Sequence, residues 1–355
     1  MQREPRVIVP PTSLPAGENL ARPQKPLRHF AFSAARLAAG VAILVYLAKS
    51  GVISFGALSK LIVEWPITAA AMAIFLVDIF LMALRTTWLF RPLGMKLTIG
   101  KSLQLTLVSA FFSTFLPGAG GGDIVKLYYA TKANTGRRTE VATVLLFDRA
   151  IGFFAMLILP FFFAPLFLPL IQTAPLLRSI LFVIAGISIG MVAVFLFGTF
   201  HQGPIRFLAR ESPALPKWRK LASRVLETIG AYRRSPGTLL GALLLSIFAN
   251  LSVIAITVLA VLALDPAGLS SKMFVVVPIA QAVNGLPLTP GGLGVGETSL
   301  NVLFKLAGLH GGAEIFLCWR VWKAMVGLLG LVIYVRGMSG VVFVSESDAE
   351  EHGAT

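Results

Sequence analysis

Apolar positions along this chain come in long continuous blocks. Runs over about 66–88, 139–163, 176–199, 238–263 and 313–336 each reach the roughly 20 residues that a helix needs to cross a hydrocarbon layer. A further run over about 29–48 is the weakest, because Arg36 within it must snorkel or find a partner. None of these runs alternates with period two, which excludes a transmembrane β-barrel. The predicted fold class is therefore all-α, a polytopic helical membrane protein with about six full spans.

Two further apolar stretches break partway. The first, "SLQLTLVSAFFSTFLP" over 102–117, is too short to cross comfortably and runs into a glycine cluster that ends on Asp123. The second, "MFVVVPIAQAVNGLPLTPGGLGVGE" over 273–297, repeats the order: short apolar helix, Leu-Pro, glycines, then Glu297. At bilayer depth, irregular backbone is tolerated only where protein buries it or where it lines a polar cavity. Such a break leaves helix-end N–H groups unsatisfied, and these suit phosphate or carboxylate. Each stretch is accordingly predicted to be a Pro/Gly-broken re-entrant hairpin. Such segments, in matching positions of two halves, point to a transporter site. The other reading is close helix packing, which small residues also permit.

Charge fixes the expected topology. Hydrophobic residues make up 56% of the 355 and charged residues 13%, with a net charge of +15 and a mean hydropathy of +0.82. The cations cluster at Arg3–Arg28, 85–101, 126–138 and 204–234. That is the positive-inside pattern, with anionic inner-leaflet lipid as partner of the basic loops, and it lacks the interleaved aromatics of a nucleic-acid module. Basic flanks on both sides of 102–131 predict that this hairpin enters from the cytoplasm and returns there. Nearly neutral 264–272 places the second hairpin on the outer side. A short amphipathic helix is predicted near "KWRKLASRVLETIGAYRR", within the 201–236 loop. Residues 1–28 read as a disordered cytoplasmic tail, 29–340 as the transmembrane domain, and 341–355 as an acidic cytoplasmic tail. Cys318 stands alone, and the four histidines lack metal-ligand spacing, so neither a disulfide, a metal nor a cofactor is expected.

Charges inside the spans each need a reason, at about 3 kcal/mol or more apiece. Asp148 and Arg149 are adjacent on one helix and so do not face each other. Each has either an interhelical ion pair or a substrate contact. Asp78 wants a buried partner, whereas Arg85 is expected at the interface. Arg320 and Lys323 share a helix face in the outer half, where they either snorkel to phosphates or contact a headgroup. With Lys126, these cations and the two carboxylates give a site of both signs, suited to a zwitterionic or phosphate-bearing amphiphile.

Four blocks in fixed order, "ALRTTWLF", "FFSTFLPGAGGGDIVKLYYATK", "TVLLFDRAIGFFAML" and "PLTPGGLGVGETSLNVLF", carry a family resemblance over about residues 30–340. The chain resembles the flippase-like family related to the membrane domain of lysylphosphatidylglycerol synthetase. The resemblance implies movement of lipids or lipid-linked headgroups between leaflets. The site positions it implies are Pro117, Gly121, Gly122, Asp123, Asp148, Arg149, Pro290, Gly291, Gly292, Gly294 and Glu297. Lys126 stands where such relatives often carry arginine, which keeps the charge but loses the planar two-point fork. No soluble synthetase domain follows the helices in this sequence, so aminoacyl transfer is not implied.

The expected function is a lipid flippase or transporter in a cytoplasmic-type cell membrane, with both termini cytoplasmic and membrane lipid as substrate. No P-loop "GxxxxGK[ST]" occurs, so movement is expected to be passive, ion-coupled or driven by downstream consumption. Two competing readings are a membrane-embedded headgroup transferase using Asp123, Asp148 or Glu297 as acid or base, and an accessory subunit of a lipid or cell-envelope synthesis complex. An enzyme is not expected, since neither a nucleophile–base pair nor a nucleotide fingerprint is seen. A second copy of the chain or a lipid-modifying enzyme is the protein partner open to it.

Overall fold

The computed structural model describes residues 61–115, 121–200, 230–285, 295–336 and 344–345. The tail 1–28, the run 29–48, the loop 201–229, most of the acidic tail and the two Gly/Pro clusters lie outside the described residues. Ten helices longer than a single 3-10 turn are described: α1 Trp65–Phe90, α2 Ile99–Phe115, α3 Gly121–Ala133, α4 Arg138–Phe163, α5 Leu168–Thr173, α6 Pro175–Phe200, α7 Pro236–Leu264, α8 Met273–Asn284, α9 Val295–Leu306 and α10 Gly312–Arg336. The fold is all-α, apart from a two-residue antiparallel pairing of Met95–Lys96 with Val344–Ser345. That pairing ties residues after α10 to the turn after α1.

Five segments are long and apolar enough to cross a membrane: 65–93, 138–173, 175–196, 236–264 and 312–336. They coincide with five of the six predicted full spans; the sixth, 29–48, lies outside the described residues. Large apolar side chains such as Phe162, Phe182, Val183, Val194 and Leu240 are left exposed on these helices. A polypeptide in water would bury them, but a helix surrounded by lipid has no reason to. Local chemistry sets the helix ends. Proline sits at the first turn of α1 and α7, where its missing N–H costs nothing. Gly308 (φ 72°) and Gly311 (φ 75°) make the tight turn between α9 and α10, a backbone shape that side-chain-bearing residues resist.

α1 and α7 form the central antiparallel pair, in register at Asp78–Ser252, Arg85–Ser246 and Trp88–Gly241. Because α1 and α7 run oppositely, the α2–α3 hairpin, which follows α1, opens at one end of the bundle. The α8–α9 hairpin, which follows α7, opens at the other end. α2 packs on α10 and α3 on α4; α8 packs on α4 and α9 on α10. Exchanging α1–α2–α3–α4 for α7–α8–α9–α10 therefore maps this packing onto itself with reversed direction. An inverted repeat that the residue sequence conceals is visible in the helix contacts.

At the end of the bundle where α1 terminates, buried Tyr232 donates its hydroxyl to the Leu89 carbonyl at 2.7 Å. Burial, and then the negative Asp148, push its phenol above the ordinary tyrosine range, so it remains a donor. This bond and the Phe147–Tyr232 ring stack fix the chain just before α7.

Candidate functional site

α4 is the ruler on which the two hairpins meet. Asp123, in the first turn of α3, pairs with Arg149 of α4. Gly285, just past α8, abuts Phe153 and Met156 of the same helix, where an added Cβ would lie 2.5 Å from the Met156 methyl. Arg149 and Phe153 are one turn apart, about 6 Å along the axis, and both lie near the middle of Arg138–Phe163. At its N-terminal end α8 runs antiparallel along α4, with the Phe274 and Phe163 rings 5.4 Å apart. The described flanks of the two breaks thus come from opposite ends of the bundle and reach the same level.

The second hairpin carries its own ion pair. Glu297 in the first turn of α9 faces Arg320 of α10, with Nε 2.6 Å from Oε1 and Nη2 donating to Oε2 at 3.2 Å. The Arg320 guanidinium also lies over the Phe316 ring at 5.1 Å. Asp123 and Glu297 are each the third residue of their half-helix, and each pairs with an arginine on the long helix that follows. A carboxylate at a helix N-terminus is favoured by the helix dipole, and here its charge is also neutralised by a neighbour.

The remaining charges separate into two kinds. Arg85, Lys126 and Asp148 are almost wholly buried and close on one another. Arg85 Nε donates to Asp148 Oδ1 at 2.7 Å and its Nη1 to Ser246 Oγ at 2.8 Å. Lys126 Nζ donates to Thr86 Oγ1 at 2.9 Å and reaches Asp148 Oδ2 at 3.5 Å, and Thr86 lies 3.2 Å from that same oxygen. Gly152 admits the guanidinium, since an added Cβ would stand 2.6 Å from Arg85 Nη1. This cluster pins α1, α3, α4 and α7 together. The Asp123 and Arg149 side chains, by contrast, are 49% and 47% exposed, so their charges are within reach of a ligand.

The expectation that Arg85 sits at the interface is corrected: it is buried against Asp148, because α7 covers the last turns of α1. Asp78 is buried as expected and accepts a hydrogen bond from Ser252 at 3.4 Å. Asp148 and Arg149 do not pair with each other and have separate partners, as their adjacency on one helix requires. Arg320 does not snorkel outward; Glu297 holds it within the bundle. Lys323 folds over the Trp319 ring at 4.9 Å. Gly121 and Gly122 open α3 and are buried, with Gly122 against the Ser109 carbonyl of α2. Pro117, Pro290, Gly291, Gly292 and Gly294 lie outside the described residues.

Sequence reasoning missed Thr86 and Ser246 as partners of the charged cluster. "RTT" near the end of a span was the available signal, since hydroxyls beside an intramembrane cation commonly serve it. An apolar groove of about 590 Å3 was also not foreseen. It opens between α4, α6 and α7 and is lined by Phe147, Ile151, Phe154, Met191, Phe195 and Leu243, among others.

The model of the lysylphosphatidylglycerol synthase TM region family matches residues 33–330. The chain belongs to this family. The match covers both hairpins and every charged side chain of the site. No curated protein and no solved structure matches the chain. For a member of a family named for the membrane region of a lipid-modifying enzyme, an integral membrane location and a membrane lipid-related role follow.

Proposed function

We propose that this member of the lysylphosphatidylglycerol synthase TM region family is a lipid flippase or transporter. It moves a phospholipid or lipid-linked polar headgroup between leaflets through a polar cavity at the two hairpin breaks. One observation carries this reading. Two half-helices reach the middle of the bundle from opposite ends, each presenting a carboxylate–arginine pair in equivalent positions. A site equidistant from both ends, flanked by broken helices of an inverted repeat, suits alternating access better than a reaction at one surface. Charges of both signs suit a headgroup that carries both, and the apolar groove beside α4 suits an acyl chain.

The chain is assigned no chemical step of its own. It sits in a cytoplasmic-type cell membrane with both termini cytoplasmic, because the basic residues following α1 and preceding α4 then obey the positive-inside bias. Its basic loops rest on anionic lipid, and a lipid-modifying enzyme supplies or consumes its cargo. The test is movement of fluorescent lipids across vesicles containing the purified chain, with several headgroup classes. Accelerated exchange of at least one class is expected. Vesicles in which no class moves faster than in protein-free controls would overturn the proposal.

A further inference from the structure

The inverted repeat exposes a difference between its halves. Counting from the two paired arginines, Trp319 stands beside Arg320 where Asp148 stands beside Arg149, and Lys323 stands where Gly152 does. In the first half, the buried polar groups satisfy one another: Asp148 takes Arg85, Lys126 and Thr86. Their counterparts in the second half do not. Trp319 Nε1 is buried with no hydrogen-bond partner among the described residues. The half-buried Lys323 ammonium has the Trp319 ring beneath it at 4.9 Å and no hydrogen-bond acceptor among the described residues. The opposite charge acting on it is Asp78, through space, and that carboxylate is engaged by Ser252. Nearby, Asn284 Oδ1 is buried and equally without a partner among the described residues. An added Cβ on Gly296 would stand 2.9 Å from that oxygen; Gly296 in turn abuts Phe316, whose ring centre is 5.2 Å from that of Trp319.

Leaving a buried donor or acceptor unpaired costs about 1–3 kcal/mol, and more for a charged one. Two such buried groups, beside an ammonium that has no acceptor among the described residues, mark a place around one aromatic pair that receives something polar. Trp319 and Lys323 are one turn apart on the same face and offer only donors, one of them cationic, so they complement an anionic oxygen. Asn284 Oδ1 complements a hydroxyl or N–H. We infer that Lys323 and Trp319 form the seat for the phosphate of the transported headgroup, with Asn284 accepting from a hydroxyl or amine of the same headgroup. The substrate class is a phosphate-ester amphiphile. This rests on the transport reading above, and it makes Lys323 the specificity-determining cation.

The test is calorimetric titration of the detergent-solubilised full chain with short-chain phosphatidylglycerol and, separately, with inorganic phosphate. Wild type is expected to bind the lipid, Lys323→Gln to weaken it at least tenfold and Trp319→Phe severalfold, while Lys323→Arg retains most of the affinity. An unchanged melting temperature in Lys323→Gln separates ligand contact from a structural role. Competition by inorganic phosphate would show that the anion alone fills the seat; lack of competition, with Lys323 still required, would show that the esterified headgroup is needed. Equal binding by wild type and Lys323→Gln, or none by wild type, overturns the seat. Lipid movement in vesicles is scored separately: a wild type that binds but moves nothing would remove the transport reading and leave the seat standing.

Discussion

Asp123 and Glu297 are equivalent residues. Each stands third in a half-helix that points to the middle of the bundle, and each is held by an arginine of the next long helix, Arg149 and Arg320. Their settings differ in accessibility. The Asp123 and Arg149 side chains are about half exposed, whereas those of Glu297 and Arg320 are 24% and 12% exposed.

Exposure separates two carboxylates that look alike in the sequence. Asp148→Asn leaves Arg85 and Lys126 buried without their counter-charge and should cost about 3–5 kcal/mol of stability. Asp123→Asn breaks a solvent-accessible pair worth only about 0–1 kcal/mol, yet removes a charge from the proposed site. Thermal unfolding of the purified variants should therefore show a large fall in melting temperature for Asp148→Asn and almost none for Asp123→Asn. Lipid movement should fall at least tenfold in Asp123→Asn. Equal melting temperatures for the two variants would contradict the division into closed and accessible charges.

The second pair is covered well enough to couple energetically. A double-mutant cycle of Glu297→Gln and Arg320→Gln should return an interaction of about 1–3 kcal/mol. The double variant should lose less stability than the sum of the two single losses. An interaction within error of zero would place the two side chains apart.

Much of this was legible in the chain and some was not, for physical reasons. Five long spans and both hairpins read directly, because continuous apolar blocks interrupted by Leu-Pro and glycine have few other solutions in lipid. The separate partners of Asp148 and Arg149 followed from helix geometry alone. The fate of Arg85 did not: five residues from the end of a span, it looked interfacial, and only the packing of α7 along α1 buries it. Of the inverted repeat only the two matching breaks were legible, because the rest of its two halves share contacts rather than residues. Gly152 and Lys323, or Asp148 and Trp319, occupy equivalent places with unlike chemistry.

Close approach of the hairpin arms rests on glycine at particular points. An alanine at Gly122 would drive its methyl into the Ser109 backbone carbonyl, and neither helix can yield cheaply. Gly122→Ala should destabilise by about 1–3 kcal/mol. Gly190 on α6 has nothing within 4 Å of an added Cβ. Gly190→Ala should be neutral or stabilising by about 0.5–1 kcal/mol, since it removes backbone freedom from a helix. Melting temperatures of the two variants check both signs. Because Gly190 also lines the apolar groove, slower lipid movement in a fully stable Gly190→Ala would connect that groove to acyl-chain passage.

Mid-depth hairpin ends make a prediction about water. Ile124, beside Asp123, is 68% exposed, and Thr298, beside Glu297, is exposed as well. If these faces line a wet cavity, cysteines placed there will ionise and react with a small charged thiol reagent even though they lie near the middle of the bundle. Val183 is 62% exposed on α6, where exposure means contact with lipid, and a cysteine there stays protonated and unreactive. Cys318 is buried, and Cys318→Ala provides the background. In sealed membrane vesicles, Ile124→Cys should label from the side where α1 ends, Thr298→Cys from the side where α7 ends, and Val183→Cys from neither. Labelling of both site cysteines from the same side only would contradict hairpins that open at opposite ends. Silence at both positions would mean that the ends of the broken helices meet in a dry interior, where a charged headgroup could not pass.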